Sequence, residues 1–165
     1  MKLACQIWAS KITGMTILPY EPRHAEAWRT LNEAWISTLF VLEAKDREVL
    51  NDPQGKVIDK GGEIFIAELN GEAIGCVALL PMGDGGLELA KMTVSEAARG
   101  TGLGRRLMET CIARARELQA RRLYLETNSG LGPALGLYRA VGFVDLPARE
   151  TAYARADVFM ELALS

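Results

Sequence analysis

The residues best placed to do chemistry stand in one short run, Arg99-Gly100-Thr101-Gly102-Leu103-Gly104. Its glycines fall where a strand-like pattern ending near Val94 gives way to a helical pattern that begins near Gly102. A helix start carries backbone N–H groups without partners and the positive end of the helix dipole, so it attracts anions. Glycine lets a phosphate approach those N–H groups without meeting a Cβ. Two other nucleotide loops do not fit the spacing. A dinucleotide fingerprint needs a third glycine where Arg105 stands, and a P-loop needs Gly-Lys-Ser/Thr where the chain has Gly104-Arg105-Arg106. By itself the run reads either as a diphosphate cradle or as a Gly-rich turn without a ligand.

The elements around it can be read from periodicity. Residues 16–18 form a short strand closed by Pro19, and residues 24–40 carry Ala27, Leu31, Ala34, Trp35 and Leu39 at helical spacing. A second helix over residues 42–50 is stopped by Asn51-Asp52-Pro53. Strands over 63–69 and 73–80 flank Asn70-Gly71, the pair that tolerates positive φ in a tight hairpin. A turn at residues 83–86 leads to a strand over 87–94. Leu103, Leu107, Cys111, Ala115 and Leu118 share one face of a helix over 102–118. A strand over 123–127, a helix over 133–141 with Gly142 past its end, and strands at 143–144 and 157–162 complete the chain. The order β-α-α-β-β-β-α-β-α-β-β, without a repeat or linker, implies one mixed α/β domain over residues 15–165. Residues 1–14 read as an extension ahead of Met15.

Composition narrows the function. A net charge of −2 and a pI near 5.5 leave no basic excess for neutralising nucleic-acid phosphates. Arg114, Arg116, Arg121 and Arg122 are interleaved with Glu117 and read as a solvated face. No run approaches the ~20 apolar residues of a membrane span, and the apolar stretch before Cys5 is too short for a signal peptide. Cys5, Cys76 and Cys111 match no metal or disulfide spacing, so reduced thiols in the cytoplasm are expected. The single histidine, His24, reads as a helix-start residue; no Cys–His or Ser–His–Asp spacing points to a covalent intermediate, and no cluster points to a metal.

Arg99-x-x-Gly102-x-Gly104 after the strand Glu88-Leu89-Ala90-Lys91-Met92-Thr93-Val94 resembles the acetyl-CoA signature of the GNAT family of N-acetyltransferases. Leu137-Tyr138-Arg139-Ala140-Val141-Gly142-Phe143 resembles that family's second cofactor segment, and the element order matches across residues 15–162. The resemblance implies a mixed, mostly antiparallel sheet flanked by helices. It implies that acetyl-CoA donates an acyl group to a primary amine, on a small molecule or a peptide, by direct attack in a ternary complex. A homodimer is compatible with it. The alternative is an acyl-CoA-binding sensor or scaffold without catalysis.

Position by position, the resemblance places the pantetheine arm beside the backbone of Met92, Thr93 and Val94, as an added strand. The pyrophosphate falls on N–H groups of Arg99, Gly100, Thr101, Gly102, Leu103 and Gly104, extending to Arg105. Glu88, six residues before Val94, stands where some members keep a general base. An amine with a reference pKa of ~10.4 must lose a proton before it attacks a thioester. The other reading of Glu88 is a strand-end carboxylate paired with a lysine. Tyr138 corresponds to the tyrosine that gives a proton to the departing thiolate, or else packs against the cofactor's edge. The family's usual Asn position is occupied by Leu131; Asn128, ten residues before Tyr138, either reaches the cofactor or belongs to a turn. The acceptor is expected on the side of the first two helices, near Glu33, Trp35, Glu43 and Asp46, with Glu33 and Glu43 the first choices.

Overall fold

The computed structural model describes residues 14–164, so the extension expected over residues 1–14 lies, except for Gly14, outside the described residues. Seven strands form one open sheet in the order β1-β2-β3-β4-β5-β7-β6. They are β1 (Met15–Pro19), β2 (Glu63–Leu69), β3 (Glu72–Pro81), β4 (Leu87–Val94), β5 (Arg122–Thr127), β6 (Val144–Leu146) and β7 (Val158–Ala163). Every neighbouring pair is antiparallel except β4 and β5, which run parallel. The mixed, mostly antiparallel sheet expected from the sequence is the one observed.

Side-chain alternation along the strands divides the core between the two faces. On one face, α1 (Ala25–Leu39) and α2 (Ala44–Asn51) lay Trp28, Ile36 and Leu50 on Ile64, Ile66, Cys76 and Ala78. On the other, α4 (Leu103–Glu117) and α5 (Gly132–Ala140) cover Leu79, Leu89, Leu123 and Leu125. Neighbours in β3 thus serve opposite layers. Trp28 is fully buried and its indole N–H donates to the Val49 carbonyl, which ties α1 to α2.

Two local details differ from the sequence reading. The Asn51-Asp52-Pro53 stop also opens α3 (Pro53–Lys56), a single turn, because proline needs no N–H partner at a first helical position and Asp52 accepts from Gly55 N at 2.9 Å. The strand expected at Phe143 begins one residue later. Phe143 is buried in the α5 layer and its N–H closes that helix on the Tyr138 carbonyl. The hairpin at Asn70 (φ 53°) and Gly71 (φ 80°) has positive φ at both positions, as expected.

One glycine sets how closely α4 approaches the sheet. A Cβ on Gly75 would lie 3.1 Å from Leu103 Cδ2, 3.1 Å from the Thr93 carbonyl oxygen and 3.3 Å from Leu107 Cδ1. The first turn of α4 therefore rests directly on β3. Gly75→Val should cost about 1–3 kcal/mol by overpacking, read from urea unfolding midpoints. A change inside ~0.5 kcal/mol, the range of ordinary surface substitutions, would show that α4 is held elsewhere.

Candidate functional site: a forked strand pair beside a helix start

β4 and β5 are paired only at Leu87↔Leu123 and Glu88↔Tyr124. Beyond these, β4 continues to Val94 and β5 to Thr127 without pairing to each other. The fork has a local cause. The β3–β4 register shifts between Cys76 and Ala78, and Lys91 in the bulge has φ 55°. A bulge bends its strand and increases its twist, which carries β4 away from β5. A left-handed conformation in a non-glycine residue costs about 1–3 kcal/mol and persists only where its surroundings enforce it. The edge of β4 that faces the fork, from Leu89 to Val94, is left without a strand partner.

The glycine run lies just past the open end of that edge. Gly100 (φ 74°) and Gly102 (φ 83°) are left-handed, so these two positions require glycine for their backbone conformation. Gly102 is the N-cap of α4 and supplies no side-chain cap. The first N–H to find a helical partner belongs to Arg106, which donates to Gly102 O. The N–H groups from Gly100 to Arg105 have no backbone acceptor among the described residues. The Arg99 N–H, by contrast, donates to Glu96 O, which leaves Arg99 its side chain alone for an anion. Thr101 is buried with its hydroxyl donating to Ala98 O at 2.5 Å; it fixes the loop from within. Leu103 packs in the core, and a Cβ on Gly104 would meet Leu137 Cδ2 of α5 at 3.6 Å.

Glu88 stands where the fork begins. Its neighbours Leu87 and Leu89 belong to the α4 layer, so its carboxylate faces the α1–α2 side. Burial pushes its pKa up, the Glu126 charge adds to this, and the carboxyl reaches about 7. No hydrogen bond or ion pair to Glu88 occurs among the described residues, so the expected alternative, a lysine-paired strand-end carboxylate, is not what the structure displays. Glu126 accepts from Tyr124 Oη at 3.2 Å and from Thr151 Oγ1 at 2.7 Å.

An ionic clasp closes one wall. Asp46 is fully buried; it accepts two bonds from Arg155 at 2.7 Å, one from Lys91 Nζ at 2.5 Å and one from Glu43 N at 2.9 Å. Burial alone would raise the Asp46 pKa, but Arg155 and Lys91 together hold it well below the usual carboxylate range. The Tyr153 ring packs against both cations, 4.5 Å from Lys91 Nζ and 4.7 Å from the Arg155 guanidinium carbon. The left-handed Lys91 thus has its ammonium fixed at the far end, which offsets the strain in the bulge. Glu43 accepts from Ala154 N and Arg155 Nη1, so its carboxylate anchors the β6–β7 loop. Glu33 is half-buried on α1 and makes no ion pair or hydrogen bond among the described residues.

The remaining candidates divide. Tyr138 on α5 is buried against Phe143, in the same cluster as Met92 and Val94, and burial pushes its phenol up to about 12. Thr93 is buried opposite Cys76. Asn128 has both amide atoms engaged within the protein, donating to Arg155 O at 2.7 Å and accepting from Gly130 N at 2.7 Å, a geometry that favours the turn reading. His24 is a buried structural residue: Nδ1 accepts from Glu21 N, which leaves Nε2 to donate to Glu68 at 2.6 Å. Tyr124, Glu126, Tyr153 and Arg155 were not singled out in the sequence. Tyr124 and Glu126 carry a signal, since they alternate with Leu123 and Leu125 and so must face the layer opposite α4.

A model of the acetyltransferase (GNAT) family matches residues 20–143. This chain belongs to that family. Among curated relatives, an uncharacterised N-acetyltransferase of Escherichia coli K12, YjgM, is 35% identical over 86 residues, covering 50% of this chain and 52% of that protein. An IAA acetyltransferase of Azospirillum brasilense is 37% identical over 82 residues, or 49% and 54% of the two chains. The matched region thus spans about half the length of these relatives. Among solved structures, a GNAT-family acetyltransferase from Staphylococcus aureus Mu50 superposes with a TM-score of 0.83 at 19% identity, covering 92% of this chain and 99% of that one. YncA of Salmonella typhimurium, solved with its cofactor acetyl-CoA, gives 0.71 at 21% identity over 93% and 95%. At these identities the likeness establishes the fold. No described helix is long and apolar enough to cross a membrane.

The clasp has a thermodynamic signature. Asp46→Asn leaves Lys91 without a carboxylate partner and Arg155 with Glu43 alone, and should destabilise the protein by about 3–5 kcal/mol at pH 7. Because the Asp46 pKa is depressed on folding, its stabilisation is complete above the unfolded value near 4 and is lost as pH falls below it. Urea titrations from pH 7 to pH 2 should show wild type and variant converging in acid. A gap that stayed constant would remove the clasp from the stability of this wall.

Proposed function

We propose that this protein transfers an acetyl group from acetyl-CoA to a primary amine by direct attack within a ternary complex. The observation that carries the reading is the fork: the sheet opens at Glu88, and the opening runs along a bare strand edge toward six unpaired amides. An open strand edge suits the amide groups of a pantetheine arm, and N–H groups at a helix start suit a diphosphate. The residues present therefore fit acetyl-CoA, which supplies an activated thioester acyl group.

The chain's own groups then have distinct tasks. Gly100, Thr101, Gly102, Leu103, Gly104 and Arg105 hold the diphosphate through their N–H groups, with Arg99 contributing its guanidinium. The backbone of Met92, Thr93 and Val94 aligns the arm, and N–H groups there polarise the acyl carbonyl. Glu88, with a pKa of about 7, takes a proton from the incoming ammonium, directly or through water. Tyr138 stays protonated at every physiological pH because burial holds it near 12. A phenol that weakly acidic steadies a departing thiolate, whose reference pKa is ~8.5, by donating a hydrogen bond and not by full proton loss. A buried carboxyl raised toward neutral pH at the mouth of the fork supports catalysis over a binding module, because general bases are tuned in this way.

Two measurements test these roles. The rate of acetyl transfer in steady-state kcat/KM should rise with pH through an apparent pKa near 7, and Glu88→Gln should lower it about 10²–10⁴-fold and erase that limb. An unchanged pH profile in the variant would remove Glu88 as base. Tyr138→Phe should lower kcat roughly tenfold, the worth of one hydrogen bond to charge, while acetyl-CoA affinity by calorimetry holds. Saturable CoA binding without turnover on a broad amine panel would instead mark the protein as a sensor.

A further inference from the structure

Most of the charges around the cleft are paired among the described residues. Asp46 and Glu43 are matched by Lys91 and Arg155. Arg122, beside Tyr124, is matched by Asp84 and Glu161. What remains around the Tyr124 ring is Glu88, Glu126 and Arg149, and none of the three has an oppositely charged partner within 4.0 Å among the described residues. Tyr124 sits opposite Glu88 in the strand register, donates to Glu126, and carries the Arg149 guanidinium over its ring at 5.5 Å. Arg149 donates only from Nε, to Pro147 O at 3.3 Å, and so leaves its terminal amino groups unused. It is also held at 5.9 Å from the Phe159 ring. The exposed Arg149 thus stands against two rings near Tyr124, with no carboxylate within 4.0 Å among the described residues.

We propose that the acceptor is an amine that also bears a carboxylate, an amino-acid-like zwitterion whose ammonium meets Glu88 and Glu126 and whose carboxylate meets Arg149. The inference rests on the reading of this cleft as the acceptor site. The two charges of such a molecule would complete the two that the protein leaves open around the Tyr124 ring. Glu126 is the ammonium's lasting partner, because Tyr124 and Thr151 both donate to it and hold its carboxylate in place. Glu88 is the group that takes the proton. A guanidinium presents two parallel N–H donors to a carboxylate, which a lysine could not reproduce. A polyamine or a neutral amine would leave Arg149 unmatched and facing its own positive charge or nothing. Arg149 lies on the β6–β7 loop, outside the residues 20–143 matched by the family model, so this specificity belongs to the strap that the Asp46 clasp holds down.

The test compares free amino acids with their own carboxamides, pair by pair over a range of side chains, using acetyl-CoA as donor. In parallel, calorimetry follows binding of the same compounds to protein saturated with CoA. Free acids should exceed carboxamides in kcat/KM by about 10- to 100-fold, the usual worth of one charged hydrogen-bonded contact. In Arg149→Gln that ratio should fall to near one, and Arg149→Glu should invert it. If carboxamides or polyamines are acetylated as well as the acids, or the ratio survives in Arg149→Gln, the zwitterion is excluded while acetyl transfer stands. If no amine is acetylated but acids still bind the CoA complex in an Arg149-dependent way, the transferase reading falls, and with it the zwitterion's role as acceptor, leaving a zwitterion-binding site alone. Absence of both turnover and binding overturns both.

Discussion

The site depends on two parallel strands that stop pairing after two residues. Continued pairing of β4 with β5 would seal the sheet and leave no edge for a ligand. The bulge at Lys91 prevents it, and the conformation that Lys91 adopts there is one that lysine disfavours. Its ammonium is anchored on Asp46, a residue from α2 on the opposite side of the cleft floor. A buried ion pair on one face of the sheet thereby supports a gap in the sheet itself.

The same cluster joins three separate parts of the chain. Asp46 caps α2 through Glu43 N, holds the β4 bulge through Lys91 and holds the β6–β7 loop through Arg155. Desolvating these charges is expensive, so the cluster is weak evidence for stability as such. Its value lies in geometry: no apolar replacement would fix a strand bulge, a helix start and a loop in one arrangement. On the other face, the glycine run is held by buried side chains, Thr101 and Leu103, which leaves its backbone donors outward and unspent.

Most of the architecture was legible in the sequence because it rests on short-range rules. Strand alternation, the Asn70-Gly71 hairpin and the apolar stripe of α4 each specify their element locally. The glycine run was legible for the same reason, since the loop needs φ values that only glycine adopts readily at positions 100 and 102. The clasp was not. Nothing near Lys91 announces a left-handed residue in a strand, and its partners lie 45 and 62 residues away in the chain. Asn128 shows the same limit: its spacing suited either role, and its partner Arg155 comes from a loop with no regular pattern. Glu43 was read as a surface carboxylate able to meet a substrate, yet it is spent on Ala154 and Arg155. Charge arrangement across distant segments is set by the assembled fold.

Amide hydrogen exchange with and without CoA addresses the central proposition most directly, because it reports on backbone donors and needs no catalysis. Exchange at residues 100–105 should slow markedly on saturation with CoA, together with amides on the open edge of β4 between residues 89 and 94, while Arg99, already bonded to Glu96, changes little. CoA binding that left both stretches exchanging as freely as before would contradict the fork and the helix start as the place where the coenzyme is held.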